Sequence, residues 1–260
     1  MQLNRRLTDE QWEILEPLIP DPAQRTETRG APATDRRALL DGIVWILRTG
    51  SPWADLPRDY PPKSTVHRWF QRWTVEGVFD RIVARLAADL YILGDLDLAE
   101  CFIDGTFAPA KQGGEAVGKT KRGKGTKIMG IVEAHGLPIS VLIASATPHE
   151  VTLAEATVTA RVVEEVPEHL IGDKAYDSDR LDAALAAAGI EMIAPHRRNR
   201  QQPTQDGRAL RRYRRRWKVE RLWAWLQNFR RVVVRYEVYP ENFRAFVQLA
   251  CALILLRQLF

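Results

Sequence analysis

Apolar positions recur at helical spacing through the first third of the chain. Within residues 7–19, Trp12, Leu15, Leu18 and Ile19 mark one face, and Thr8 with Gln11 three positions later makes a capping box at its start. Residues 20–34 are rich in Pro, Thr and Arg and read as a loop. A second helix over 35–48 buries Leu39, Leu40, Ile43, Val44 and Leu47, and Thr49-Gly50-Ser51-Pro52 stops it. Residues 53–56 make a short turn of helix and 57–62 a rigid Pro-bounded connector. A third helix runs from Lys63 to about Trp73, with Val66, Trp69, Phe70 and Trp73 inward and His67, Arg68, Gln71 and Arg72 outward. A fourth spans 79–93.

The texture changes after residue 99. Cys101-Phe102-Ile103 is a short apolar strand ending at Asp104, and strands follow over 127–134 and 137–145. A helix over 150–166, a strand over 168–172 leading to Asp173, a helix over 178–188, a strand over 190–194, a helical stretch over 207–231 and a buried helix over 242–256 complete the pattern. Antiparallel strands first and βαβ units afterwards predict an α/β fold with a mixed sheet flanked by helices, preceded by a small all-α unit. The expected division is a helical, helix-turn-helix-like DNA-binding domain over 1–95 and an α/β domain over 96–260. A helix, a Pro/Gly-bounded connection and a helix with basic outer residues fit a helix-turn-helix. A three-helix cap with a solvated basic face fits equally, and the pattern leaves both open.

Charge adds direction to this picture. The 38 Lys and Arg against 33 Asp and Glu give a net +5, a weak hint of nucleic acid by itself. Nine arginines, however, fall between 197 and 216, at 197, 198, 200, 208, 211, 212, 214, 215 and 216. Residues 111–127 hold five Gly and six Lys or Arg. A P-loop spacing occurs at Gly113 to Thr120, but no strand precedes it and no helix pattern follows. This stretch reads as a basic hairpin loop, with Lys119, Lys121, Arg122 and Lys124 able to lie along phosphates; a solvated linker is the other reading. Cys101 and Cys251 have no ligand spacing and read as small core residues in a reducing compartment. No signal peptide opens the chain, and its longest apolar run is too short for a bilayer, so a cytoplasmic protein with no membrane partner is expected.

Asp104 and Asp173 end apolar strands, and Glu220 lies in a basic, Trp-rich helical pattern with Tyr213, Arg216 or Trp217, Trp223 and Gln227 at helical spacing. Three carboxylates brought together repel unless a cation sits between them, and hard oxygen ligands suit Mg²⁺ or Mn²⁺. Two such ions can activate a water or a 3′-hydroxyl and stabilise a leaving oxygen, which is phosphodiester chemistry. Each acid also has a plainer reading: Asp173 as a turn cap, Glu220 as an ion-paired surface residue.

These residues resemble an IS5-family bacterial insertion-sequence transposase with an RNase H-like DDE domain. The resemblance covers nearly the whole chain from about Leu7. It rests on residues 41–57, on Phe102-Ile103-Asp104-Gly105-Thr106, on the stretch from Ile171 to Asp177, and on Tyr213, Arg216 and Glu220 in the signature around the final Glu. It departs at Gln227, where the family often carries Lys or Arg; Arg230 and Arg231 lie one turn further on. The resemblance implies that Asp104, Asp173 and Glu220 are catalytic and hold two Mg²⁺ or Mn²⁺ ions. Tyr213 and Arg216 would contact DNA near the scissile phosphate, with Arg230 and Arg231 as substitutes for the missing contact; His67, Arg68 and Arg72 are the DNA-facing candidates of the helix-turn-helix reading. It also implies cleavage at terminal inverted repeats of double-stranded DNA and joining of 3′-hydroxyls to target DNA, by a homodimer or larger assembly in the bacterial cytoplasm and nucleoid. A metal-dependent nuclease of the same fold and a non-catalytic, domesticated DNA-binding protein are the alternatives.

Overall fold

The computed structural model describes residues 6–21, 35–198, 200–203, 207 and 209–260. Most of the loop expected over 20–34, and Arg208 of the arginine cluster, lie outside the described residues. Helix α1 (Asp9–Leu15) starts on the expected capping box, Thr8 to Gln11, and a 3₁₀ turn, Glu16–Leu18, extends it. The Asp35 carboxylate caps α2 (Arg36–Thr49), which ends at a left-handed Gly50 with φ 69°. Next come α3 (Lys63–Val75) and α4 (Val78–Leu93).

The sheet contains β1 (Glu100–Pro109), β2 (Gly118–Thr120), β3 (Gly123–Val132), β4 (Pro138–Ser145), β5 (His169–Ile171) and β6 (Glu191–Ile193). Its order is β2-β3-β1-β5-β6, with β4 also on β3. Strand β1 runs antiparallel to β3 and parallel to β5, and β6 is parallel to β5. Helices α5 (Glu150–Thr159), α6 (Asp179–Ala187), α7 (Trp217–Leu226), α8 (Arg230–Val233) and α9 (Pro240–Leu256) complete the fold. This is the expected RNase H-like mixed sheet flanked by helices, behind an all-helical N-terminal region.

Four boundaries differ from expectation, each for a physical reason. Strand β1 does not stop at Asp104, because β3 pairs with it as far as Pro109. The basic loop is itself partly sheet: β2 pairs with the start of β3, setting Lys119 opposite Lys124. Helix α5 ends at Thr159 rather than at 166, because the chain then returns to the edge of β4, where Val162 N–H donates to the Ile139 carbonyl at 2.8 Å. The stretch over 207–231 breaks into a 3₁₀ turn (Ala209–Arg215), α7 and α8; the extended, buried Phe229 interrupts it.

Helix α9 is buried along nearly its whole length. It packs against α2, α3 and α4 and also against β4, α7 and α8. The apolar side chains of the helical region and of the sheet therefore form one continuous core.

Candidate active site

Register places the first two acids. Strands β1 and β5 pair in parallel through Phe102 and Ile171. Asp104 and Asp173 each lie two residues beyond that pair, so they emerge side by side and on the same face. This is where parallel strands of an open sheet present functional groups. Strand β5 ends there, while β1 runs on. Asp173 also fulfils its plainer reading: its Oδ1 accepts from Ala175 N–H at 2.7 Å and caps the 3₁₀ turn Lys174–Tyr176.

Helix α7 covers the Asp104 face. Gly130 of β3, opposite Asp104, makes this possible: a Cβ there would come within 2.8 Å of the Trp223 ring. Packed over that glycine, Trp223 donates its Nε1–H to Asp104 Oδ2 at 3.4 Å. Arg216 Nη1 donates to the same oxygen at 3.0 Å, and its Nη2 reaches Glu220 Oε1 at 3.4 Å. Arg216, Glu220 and Trp223 share one face of the helix, as their spacing requires. Burial raises the Asp104 pKa above the ordinary aspartate value, and Arg216, the Gly105 N–H and Trp223 only partly oppose it. For Arg216, burial works against the charge, but Asp104, Tyr213, Asp173 and Glu220 together outweigh it and raise its pKa. One guanidinium thus feels all three expected acids.

The acids are not equivalent. The side chain of Asp104 is 16% exposed and that of Glu220 is 61% exposed. Among the described residues no group of three or more His, Cys, Asp or Glu is arranged to hold a metal ion. The Asp104–Asp173 pair fits a hard divalent cation by its chemistry: two carboxylates at neighbouring positions of the sheet, the first of which already accepts the Arg216 guanidinium. Glu220, at the rim, does not close the set.

One acid escaped the sequence reading. Glu150 opens α5, and its carboxyl faces the same charges. Burial raises its pKa first, then Asp104; Lys127 opposes, and Asp173 raises it further. The buried Tyr176 hydroxyl donates to Glu150 Oε2 at 3.4 Å, and Lys127 Nζ lies 3.8 Å from Oε1. At a helix start a Glu reads as a partner for the helix dipole, so only its neighbours in space mark it out.

The expected DNA contacts divide into two groups. Lys119, Lys121, Arg122 and Lys124 are exposed on the β2–β3 hairpin, and Arg68 and Arg72 are exposed on α3, although Arg72 pairs with Glu76 at 2.7 Å. Arg230 is exposed, and Tyr213 is half-buried one turn before Arg216. Two assignments are corrected. Arg231 is buried, paired with Glu237 at 2.7 Å and bonded to the Ser51 carbonyl, so its charge is used inside the protein. His67 stacks on Trp53 with ring centroids 4.8 Å apart; burial, and then Arg231, lower its pKa and disfavour the cationic form. The arginine cluster is also partly consumed: Arg212 and Arg215 both bond Glu100, and Arg197 bonds the carbonyls of Lys174 and Ala175. Arg211 and Arg214 stay exposed and have no ion pair among the described residues.

Comparison with known proteins agrees with this fold. Residues 97–255 match the family model "Transposase DDE domain", and residues 7–83 match "Putative transposase of IS4/5 family". An insertion element IS402 protein of 16.2 kDa from Burkholderia cepacia is 34% identical over 117 residues, 44% of this chain and 80% of that protein. The "Putative transposase for insertion sequence element IS6501" of Brucella ovis is 33% identical over 135 residues, 51% of this chain and 98% of that protein. Among solved structures, a piggyBac transposase in a synaptic complex with hairpin DNA superposes with a TM-score of 0.55 at 11% identity, covering 97% of this chain and 70% of that one. That likeness concerns the fold alone. No helix among the described residues is long and apolar enough to cross a membrane. With residues 97–255 matching the transposase DDE domain, the chain belongs to the DDE transposase family.

Proposed function

We propose that this transposase cuts double-stranded DNA at the terminal inverted repeats of its own insertion sequence and joins the freed 3′-hydroxyls to target DNA. The observation that carries this reading is the pair Asp104 and Asp173, each two residues beyond the last pairing of parallel strands β1 and β5, with Arg216 paired to Asp104. Divalent cations, Mg²⁺ or Mn²⁺ in the two-ion form, would supply activation of the attacking oxygen and stabilisation of the leaving one when held there. Asp104 and Asp173 would be the ligands, and Glu220 would complete the set by moving inward on α7. Arg216, released from Asp104, would turn its two-pronged donor face to a DNA phosphate, with Tyr213 beside it.

The hairpin supports the same reading. Lys119 and Lys124 lie directly opposite each other in the β2–β3 ladder. Like charges in that position destabilise a hairpin, and a phosphate backbone laid along it would relieve them. The helical region over 1–95 would hold the element's ends through Arg68 and Arg72 on α3, and Arg230 would add a contact near α2. Paired ends call for two active sites, hence a homodimer or larger assembly, working on the bacterial nucleoid in the cytoplasm.

The test is Mg²⁺- or Mn²⁺-dependent cleavage and strand transfer on a duplex carrying the element's terminal repeat, comparing wild type with Asp173→Asn. Joined product from the wild type and none from the variant is the expected result. Cleavage without joining would make the protein a nuclease. Tight binding with no metal-dependent chemistry in either protein would leave a DNA-binding protein.

A further inference from the structure

Between α8 and α9 the chain is inside out. It is extended at Val234 and again at Tyr239, and between them the side chains alternate between protein and water. Arg235 is fully buried, and Glu237 turns inward to pair with the buried Arg231 at 2.7 Å. Tyr236 and Val238, on the outer face, are 42% and 49% exposed. The charged positions thus lie within and the apolar ones without. Val233 and Tyr239 flank the strip and are exposed too. Apolar residues scattered singly over a surface are ordinary, but four so close together make a patch that marks an interaction. Reversed patterning of this kind belongs where a protein works.

The strip is fixed against the base of the basic hairpin. Arg235 forms a parallel bridge with Ala110, its carbonyl accepts from Lys111 N–H at 2.9 Å, and its guanidinium holds the carbonyls of Glu115 and Ala116. Gly114 lets the two segments close: a Cβ there would lie 2.6 Å from the Val238 carbonyl oxygen. The Arg231 guanidinium lies over the Tyr236 ring, 5.0 Å from its centre, and steadies the ring without burying it. Ala110 is about 20 Å along β1 from Asp104, at about 3.3 Å per residue, so the strip stands apart from the acids.

Charge selects the partner. Exposed cations surround the strip: Lys111, Arg230 and, on the hairpin, Lys119, Lys121, Arg122 and Lys124. The exposed acids of the same two segments are Glu115 and Glu241. A second copy of the chain would bring like charges face to face. A polyanion is attracted, but duplex DNA keeps its base faces stacked inside. A single strand offers phosphates and bare base faces together, which is what a basic surface with exposed aromatic rings binds.

We propose that Tyr236 and Tyr239, with Val238 between them, hold unpaired bases of single-stranded DNA whose phosphates lie along the hairpin lysines; this rests on the reading of the hairpin as a DNA contact given above. The test is fluorescence anisotropy on the full chain, with a labelled oligothymidylate and a labelled mixed-sequence duplex of equal length. Tyr236→Ala and Tyr239→Ala should each weaken oligothymidylate binding by about tenfold, the scale of one stacked base, and leave duplex binding within about twofold, since phosphate contacts dominate it. Tyr239→Phe, which keeps the ring, should bind like wild type; a loss equal to that of the alanine variant would overturn the stacking. If both alanine variants bind the single strand as wild type does, or lose single strand and duplex alike, the proposal falls and the DNA reading stands. The same follows if wild type binds the duplex and not the single strand. If wild type binds neither, the DNA reading falls with it. Should Tyr236→Ala fail to fold, Tyr239→Ala decides, because its ring is 60% exposed: an unchanged affinity for oligothymidylate overturns the proposal.

Discussion

Arg235 and Arg216 place the same side chain in two regions that treat it in opposite ways. Arg235 is fully buried. It donates to the carbonyls of Glu115, Ala116, Glu237 and Val238 and to Thr126 Oγ1, at 2.7–3.3 Å. Its partners are neutral, and burial lowers its pKa below the ordinary arginine value. It acts as a clamp tying the segment before β2 to the chain after α8. Arg216 is partly exposed and its partners are carboxylates, which raise its pKa. A group whose donors are consumed by backbone belongs to the scaffold. A group held by charges that would rather have a metal is available for work.

Removing each side chain should separate the two roles. Arg235→Ala leaves buried carbonyls without donors and should cost about 4 kcal/mol, enough to unfold much of the population, as read by urea denaturation. Arg216→Ala should lower strand transfer by about 10²- to 10³-fold, the scale for losing a preorganised donor to a reacting phosphate, and leave the urea midpoint almost unchanged. An equal loss of stability in both variants would erase the distinction.

Asp104→Asn sharpens the comparison from the acid side. The folded pKa of Asp104 is raised above the ordinary 3.8, chiefly by burial. A carboxyl raised in this way contributes stability below its unfolded pKa and loses it as pH rises through the folded value. The always-neutral asparagine should therefore match wild type below about pH 3.8 and be the more stable protein at neutral pH, with transposition abolished. Unfolding at both pH values checks it. The smallest effect is expected at the hairpin: Lys119→Ala or Lys124→Ala should each reduce the salt slope of DNA binding by about one phosphate contact, with little change in fold.

Much of this could be read from the sequence, because the informative features are local. An apolar triplet followed by an acid marks a strand, although β1 runs on past its acid, and residues 216, 220 and 223 share a helical face whatever the fold around them. What could not be read depends on partners distant in sequence. Arg231 looked like a surface arginine beside Arg230 until Glu237 and Ser51 claimed it. His67 looked outward until Trp53 covered it. Glu150 carries no local sign, since the charges that act on it, Asp104 and Asp173, lie far from it in sequence. The helix expected to reach 166 ended early because β4 offered an edge for the returning chain.

Helix α9 has a consequence for how the protein comes into being. A ribosome releases α2, α3 and α4 well before the helix they pack against. Until α9 emerges, those three helices carry apolar faces with no complete partner, exposed to chaperones and to one another. Contacts between segments so far apart in sequence also form slowly, because the intervening chain must be ordered first. The helical region and the sheet therefore complete their shared core together, only once α9 has been made.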